Sequence, residues 1–254
     1  MGLQHSGITR AMKAALHVLY PPQCLGCSDP VASDAADVHL CATCWGEARF
    51  ITGAACRCCA APLPGDGMGA DDSLICDGCL TTPPPWQHGR AAFVYSGTGR
   101  RLVLALKHGD RPDLVPPLAR WLAQAVAPLI LPDTIVAPVP LHLRRLLKRK
   151  YNQAALLSAR VAQSYGVTHQ ADLLIRRRHT PAQDHRSVRD RFANQDGALM
   201  VNTRRLDQLR DRPVLLIDDV MASGATLTAA ARALNIAGAG PVSVAVLARA
   251  VKDD

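Results

Sequence analysis

Cysteine is absent after residue 79, aromatic residues are scarce, and no apolar run reaches membrane length. Each lack excludes something. Three Trp, four Tyr and three Phe in 254 residues leave little from which to build the stacking platforms of single-strand-binding grooves. Without the ~20 consecutive apolar residues that a bilayer span requires, no transmembrane helix is expected. Gly-x-x-x-x-Gly-Lys does not occur, which removes the Walker type of phosphate loop. The start, "ITRAMKAALHVLYPP", has a short apolar stretch but no small-residue cleavage site. Residues 1–23 therefore read as an amphipathic helix and not as a signal peptide, and a cytoplasmic protein is expected.

Charge divides the chain. Residues 1–90 carry five Lys/Arg against eight Asp/Glu, and residues 91–254 carry 24 against 13, so the net charge of +8 conceals an acidic and a basic part. All nine cysteines lie in the acidic part, as "CLGC", "CATC", "CRCC" and "CDGC". Four C-x-x-C turns supply eight thiolates, enough for two tetrahedral zinc sites. Gaps of 13 residues between the first two pairs and 16 between the last two approach or match zinc-ribbon spacing. The sequential pairing is Cys24, Cys27, Cys41 and Cys44 for one ion and Cys56, Cys59, Cys76 and Cys79 for the other. An interleaved cross-brace stays open, and Cys58 is spare. Disulfides would need an oxidising compartment, against the expected cytoplasmic one. Residues 24–85 thus form a double zinc ribbon with little core of its own, folded by metal. "TTPPPW" (81–86) reads as a stiff linker.

Residues 90–254 alternate strand-like and helix-like segments. "RAAFVYSG", "DTIVAPVPL", "ADLLIRRR", "ALMV", "PVLLIDD" and "PVSVAVLAR" read as strands. "TGRRLVLALKHGD", "PDLVPPLARWLAQAVAPL" and "NQAALLSARVAQSYG" read as helices, the last stopped by Gly166. That alternation predicts a doubly wound, mostly parallel α/β sheet. Within it, "VLLIDDVMASGATL" (214–227) sets two carboxylates between a buried apolar run and a loop of small residues that opens a helix. Such a loop offers backbone N–H groups to a phosphate, assisted by the helix dipole. Carboxylates beside it accept hydrogen bonds from a sugar diol. A ribose 5-phosphate fits both.

That stretch resembles the phosphoribosyl pyrophosphate (PRPP) signature of type I phosphoribosyltransferases. With the cysteine module, the chain is similar to the ComF family, which joins a zinc ribbon to a phosphoribosyltransferase-like domain and is associated with DNA uptake in natural transformation. Further matches are Lys107-His108-Gly109-Asp110, Pro138 to Leu141, Arg149 to Gln153, Arg177 with Thr180 and Gln183, and Arg191 with Asn194. Lys150 departs from a usual glycine, and Ala222 and Ser223 from two threonines. The resemblance implies that Asp218 and Asp219 hold the ribose hydroxyls and serve catalysis. It implies that Ala222, Ser223, Gly224, Ala225 and Thr226 hold the 5′-phosphate. The turn at Val139, whose prolines make a cis peptide cheap, would face the pyrophosphate with Lys107, Asn152, Arg191 and Mg²⁺. Residues 177–194 would form a lid.

Recognition of a phosphate does not establish transfer. A phosphoribosyltransferase of unknown acceptor is the leading reading; no hood for an acceptor base is apparent, and the zinc module is a candidate for that place. The alternative is a non-catalytic, PRPP-gated single-stranded nucleic-acid binding protein. It rests on Arg144, Arg145, Lys148, Arg149 and Lys150, with Tyr151 placed to stack on a base. Single-stranded DNA and other competence proteins are the implied partners.

Overall fold

The computed structural model describes residues 21–31, 40–65, 73–108, 111–141, 151–177 and 197–251. In chain order, α1 (Ala42–Glu47) and α2 (Asp77–Thr81) belong to the cysteine-rich part. After them come β1 (His88–Val94), α3 (Gly97–His108), α4 (Val115–Val126), β2 (Ile135–Pro138), α5 (Gln153–Tyr165), β3 (Thr168–His169), β4 (Leu174–Arg176), β5 (Leu199–Val201), α6 (Leu206–Leu209), β6 (Val214–Met221), α7 (Ala225–Ile236) and β7 (Val242–Arg249). The expected helix at 1–23 lies largely outside the described residues.

Five strands form a parallel sheet in the order β1-β7-β6-β2-β3. Side chains alternate across a strand, and both faces here are apolar. Val214 and Leu216 of β6 join Ile135, Ala137, Val242, Val244 and Val246 on one face, which α7 covers with Leu227, Ala230, Ala231 and Leu234. Leu215 and Ile217 join Val136, Ala245 and Leu247 on the other, beneath α3, α4 and α5. Burial on both faces explains why the β6 segment is a continuous apolar run. The helix ends follow local chemistry. Asn152 caps α5 by accepting from the Ala154 N–H, and Gly166 closes it in the left-handed region at φ 63°.

One expectation needs correction. The segments "ADLLIRRR" and "ALMV" do become strands, but β4 and β5 pair antiparallel with each other, outside the parallel sheet. Each is three residues long, and Ile175 is exposed. Leu174, Leu199 and Val201 instead extend the core on the α7 face. Among the described residues, no helix is long and apolar enough to cross a membrane.

The cysteine-rich part packs directly on the sheet. Phe50 meets Trp45, Trp121 and Phe93 at ring-centroid distances of 5.0, 5.1 and 6.2 Å, so four of the few aromatics are spent on this seam. Cys56, Cys58, Cys59 and Ala60 belong to the same core as α7. The expected linker ends in an anchor: Trp86 is buried and donates from Nε1 to the Cys58 carbonyl at 2.7 Å.

Candidate functional site

The eight C-x-x-C thiols gather into two groups, Cys24/Cys27/Cys41/Cys44 and Cys56/Cys59/Cys76/Cys79, with the sulfurs of each within 4.8 Å of one another. The pairing is therefore sequential. Cys27–Cys41 and Cys59–Cys76 sulfurs lie 3.7 Å apart. A tetrahedron with Zn–S bonds of about 2.3 Å has edges of roughly 3.8 Å, while a disulfide needs about 2.05 Å. Two structural zinc ions fit these groups. Backbone N–H groups of Gly26 and Cys41 point at the Cys24 sulfur, and Arg101 donates to that of Cys44, as thiolate ligands require.

Between β2 and β6 the connections diverge, α5 covering one face and α7 the other, and at such a switch point the C-terminal ends of the strands flank a crevice. Open α/β sheets bind ligands in such a place. Asp218 and Asp219 end the apolar run of β6 as neighbours and so point to opposite faces. Asp219 meets Lys107 from α3, with Nζ to Oδ1 at 3.0 Å and both side chains largely shielded. The end of α3 is held there by Tyr151, whose hydroxyl donates to the Leu106 carbonyl at 2.8 Å. Tyr151 thus spends its hydroxyl inside the fold and packs against the core. Asp218 keeps partial exposure but is enclosed enough that burial, then the charge of Asp219, pushes its carboxyl up to about 7. The Asp219 N–H at 2.8 Å, Lys107 and Arg176 oppose that rise without cancelling it.

Beyond Met221 the loop Ala222-Ser223-Gly224 turns into α7. Gly224 sits at φ 75°, ψ 2°, and has no side chain with which to cap the helix. The first N–H groups of a helix have no partner inside it, so this end is of the kind that can receive an anion. Across the crevice, Val139 follows β2, and its carbonyl accepts from Asn152 Nδ2 at 3.1 Å. Arg176 Nε donates to the Pro140 carbonyl at 3.0 Å. All described peptide bonds are trans, including those of this proline turn.

The fold thus brings Lys107, Val139, Asn152, Asp218, Asp219 and the 222–226 loop to one end of the sheet. Arg191 and residues 144–150 lie outside the described residues, as does most of the 177–194 loop. Three contributors escaped sequence reasoning. Arg176 steadies the proline turn. Arg249, the last residue of β7, donates from one terminal nitrogen to the carbonyls of Met221 (3.0 Å), Ala222 (2.8 Å) and Ala250, and from Nε to that of Cys59 (2.8 Å). Trp86 stands beside Gly224, its ring 3.4 Å from where a Cβ would be. Only tertiary contact marks these residues; an arginine at a strand end carries no signal of its own.

Comparison with known proteins finds a family match in each part of the chain. The double zinc ribbon domain matches residues 15–80, and the phosphoribosyl transferase domain matches residues 153–253. The chain is 33% identical over 236 residues to the DNA utilization protein YhgH of Salmonella typhimurium, covering 90% of this chain and 97% of that one. The chain belongs to the ComF/YhgH family. Competence protein F of Haemophilus influenzae is 31% identical over 181 residues, 69% of this chain and 78% of its own. A match to a glutamine PRPP amidotransferase from B. subtilis is too slight to bear on the site, with 18% identity, a TM-score of 0.37, and coverage of 56% and 30% of the two chains. As a ComF/YhgH protein the chain combines both features read from its sequence, a two-cluster metal module and a phosphoribosyltransferase domain.

Proposed function

We propose that the crevice binds PRPP with Mg²⁺ and that the protein serves DNA use, as the names of its relatives suggest for them. Asp218 and Asp219 take the ribose hydroxyls, and Ala222 to Thr226 take the 5′-phosphate on the open end of α7. Lys107 turns its ammonium from Asp219 to the ligand, and the Val139 turn, steadied by Asn152, faces the pyrophosphate together with Arg191. Mg²⁺ supplies charge neutralisation on the pyrophosphate. The carboxylates then face the positive charge that develops at ribose C1 as the pyrophosphate leaves. Residues 24–85 act as the metal module and 90–254 as the PRPP-binding domain, in a cytoplasmic setting. One observation carries this reading: two adjacent carboxylates, one of them paired with lysine, lead into a helix start whose N-cap is a glycine in the left-handed region.

Pyrophosphate release from PRPP, measured with Mg²⁺ alone, with free bases and with single-stranded DNA, tests transfer. Release dependent on an acceptor is expected. PRPP binding without release under any of these conditions would make the chain a PRPP-gated binding protein instead.

The basic run contributes in either case. Arg144, Arg145, Lys148, Arg149 and Lys150 are proposed to neutralise nucleic-acid phosphates. Affinity for single-stranded DNA should then fall steeply with salt, and Arg145→Ala with Lys148→Ala should reduce the log–log slope by roughly 1.4, about 0.7 per phosphate contact on a single strand. An unchanged slope would return the run to an ordinary solvated face.

A further inference from the structure

The second cysteine cluster and the loop before α7 share a mechanical connection that runs through two side chains. The turn Cys56–Ala60 is closed by two backbone hydrogen bonds: the Ala60 N–H donates to the Cys56 carbonyl at 2.8 Å, and the Cys56 N–H donates to the Ala61 carbonyl at 2.8 Å. It is pressed on β1, where the Gly89 N–H reaches the Arg57 carbonyl at 2.6 Å and a Cβ on Gly89 would collide with the Cys58 carbonyl. Two carbonyls of that turn accept from side chains that also reach the ligand loop. Cys59 receives Arg249 Nε at 2.8 Å, and Cys58 receives Trp86 Nε1 at 2.7 Å.

From there the contact passes to the loop itself. Arg249 also donates to the carbonyls of Met221 and Ala222. A trans peptide unit carries its C=O and N–H in opposite directions. Holding those two carbonyls towards the guanidinium therefore aims the N–H groups of Ala222 and Ser223 away from it. Trp86 stands against Gly224, its ring 3.4 Å from the vacant Cβ position.

We propose that Arg249 and Trp86 are positioning residues that set the phosphate-binding N–H groups of the 222–224 loop from the second cysteine cluster. The loop's affinity for a 5′-phosphate then depends on metal at Cys56/Cys59/Cys76/Cys79 and not on metal at Cys24/Cys27/Cys41/Cys44. This rests on the PRPP reading of the crevice. The arginine is suited to the task because its planar fork spans several acceptors in fixed geometry, which a lysine ammonium cannot do.

The test uses full-length protein with its zinc. Arg249→Lys keeps the charge and loses the fork. Titration calorimetry is expected to show ribose 5-phosphate and PRPP–Mg²⁺ each bound about tenfold more weakly, since one or two hydrogen bonds of positioning are lost. Pyrophosphate–Mg²⁺, which does not use this loop, should bind unchanged, and zinc content should stay at the wild-type value. Trp86→Phe should act in the same direction by about threefold. Cys76→Ser should weaken ribose 5-phosphate, while Cys27→Ser should not. If the wild type binds PRPP and Arg249→Lys binds ribose 5-phosphate equally well, the positioning role is wrong while the PRPP reading stands. If the three ligands weaken together, Arg249 is only a structural brace and the inference fails. A wild type that binds neither phosphate compound would overturn both readings.

Discussion

Replacing Asp218 and Asp219 together by asparagine is expected to abolish the rise in melting temperature that PRPP with Mg²⁺ produces in the wild type. A ligand that binds only the folded state stabilises it by about 2.7 kcal/mol at a hundred times its Kd, which is roughly 5–10 °C for a domain of this size. Asparagine keeps size and polarity, but hydrogen bonds to a carboxylate are roughly twice as strong as neutral ones. Gly224→Val should be as damaging for a different reason. A Cβ there meets only the Trp86 ring at an ordinary 3.4 Å, so space is available; the φ of 75° is what a β-branched residue cannot adopt cheaply. The same shift, equal in wild type and double variant, would mean that the loop is scaffold.

The ligand-free protein should show the opposite trend. Burial and Asp219 raise the Asp218 carboxyl from its ordinary 3.8 to about 7. Between these values the folded state holds a proton that the unfolded state has lost. The contribution of Asp218 to stability therefore falls as pH rises from about 4 to about 7 and levels off above, while His169, held below its ordinary value by burial, contributes in the opposite direction. Asp218→Asn has no proton to hold, so it should match the wild type near pH 4 and melt higher at pH 8. Melting curves across that range check the sign. A wild type that gains stability relative to the variant on going from pH 4 to 8 would contradict the burial of this carboxyl.

Stripping zinc is expected to have the largest effect of all. Metal analysis should find two zinc ions per chain, and Cys24→Ser and Cys76→Ser should each lose one, because the clusters are sequential. Structural zinc contributes about 10–16 kcal/mol of apparent binding free energy in small ribbons, as much as the whole net stability of a typical domain. A strong chelator should therefore lower the melting temperature by roughly 10 °C or more. Cys76→Ser should cost more than Cys24→Ser. Its cluster includes Cys56 and Cys59, which are buried in the core shared with β6, β7 and α7, whereas Cys24 and Cys44 lie outside that core. A fresh preparation without zinc and with oxidised thiols would sink the two-cluster arrangement.

The sequence by itself determined whatever depends on neighbours along the chain. Val214 to Ile217 is apolar at every position because both faces of β6 are covered. Asn152 and Gly166 bound α5 because a cap and a left-handed stop act within one turn. C-x-x-C turns and the Asp-Asp to Gly224 loop were legible because their donor atoms are set by local spacing. Tertiary structure decided what joins distant segments. It chose sequential over interleaved thiol pairing, moved β4 and β5 out of the parallel sheet, and turned Trp86 from linker into core. It placed Lys107 on Asp219, more than a hundred residues away, and Arg249 on Cys59 across 190 residues. The physical reason is that a pairwise contact between remote segments leaves no periodicity in either one. Arg249 looks like any arginine ending a strand until Cys59 and Ala222 are both within reach of its guanidinium.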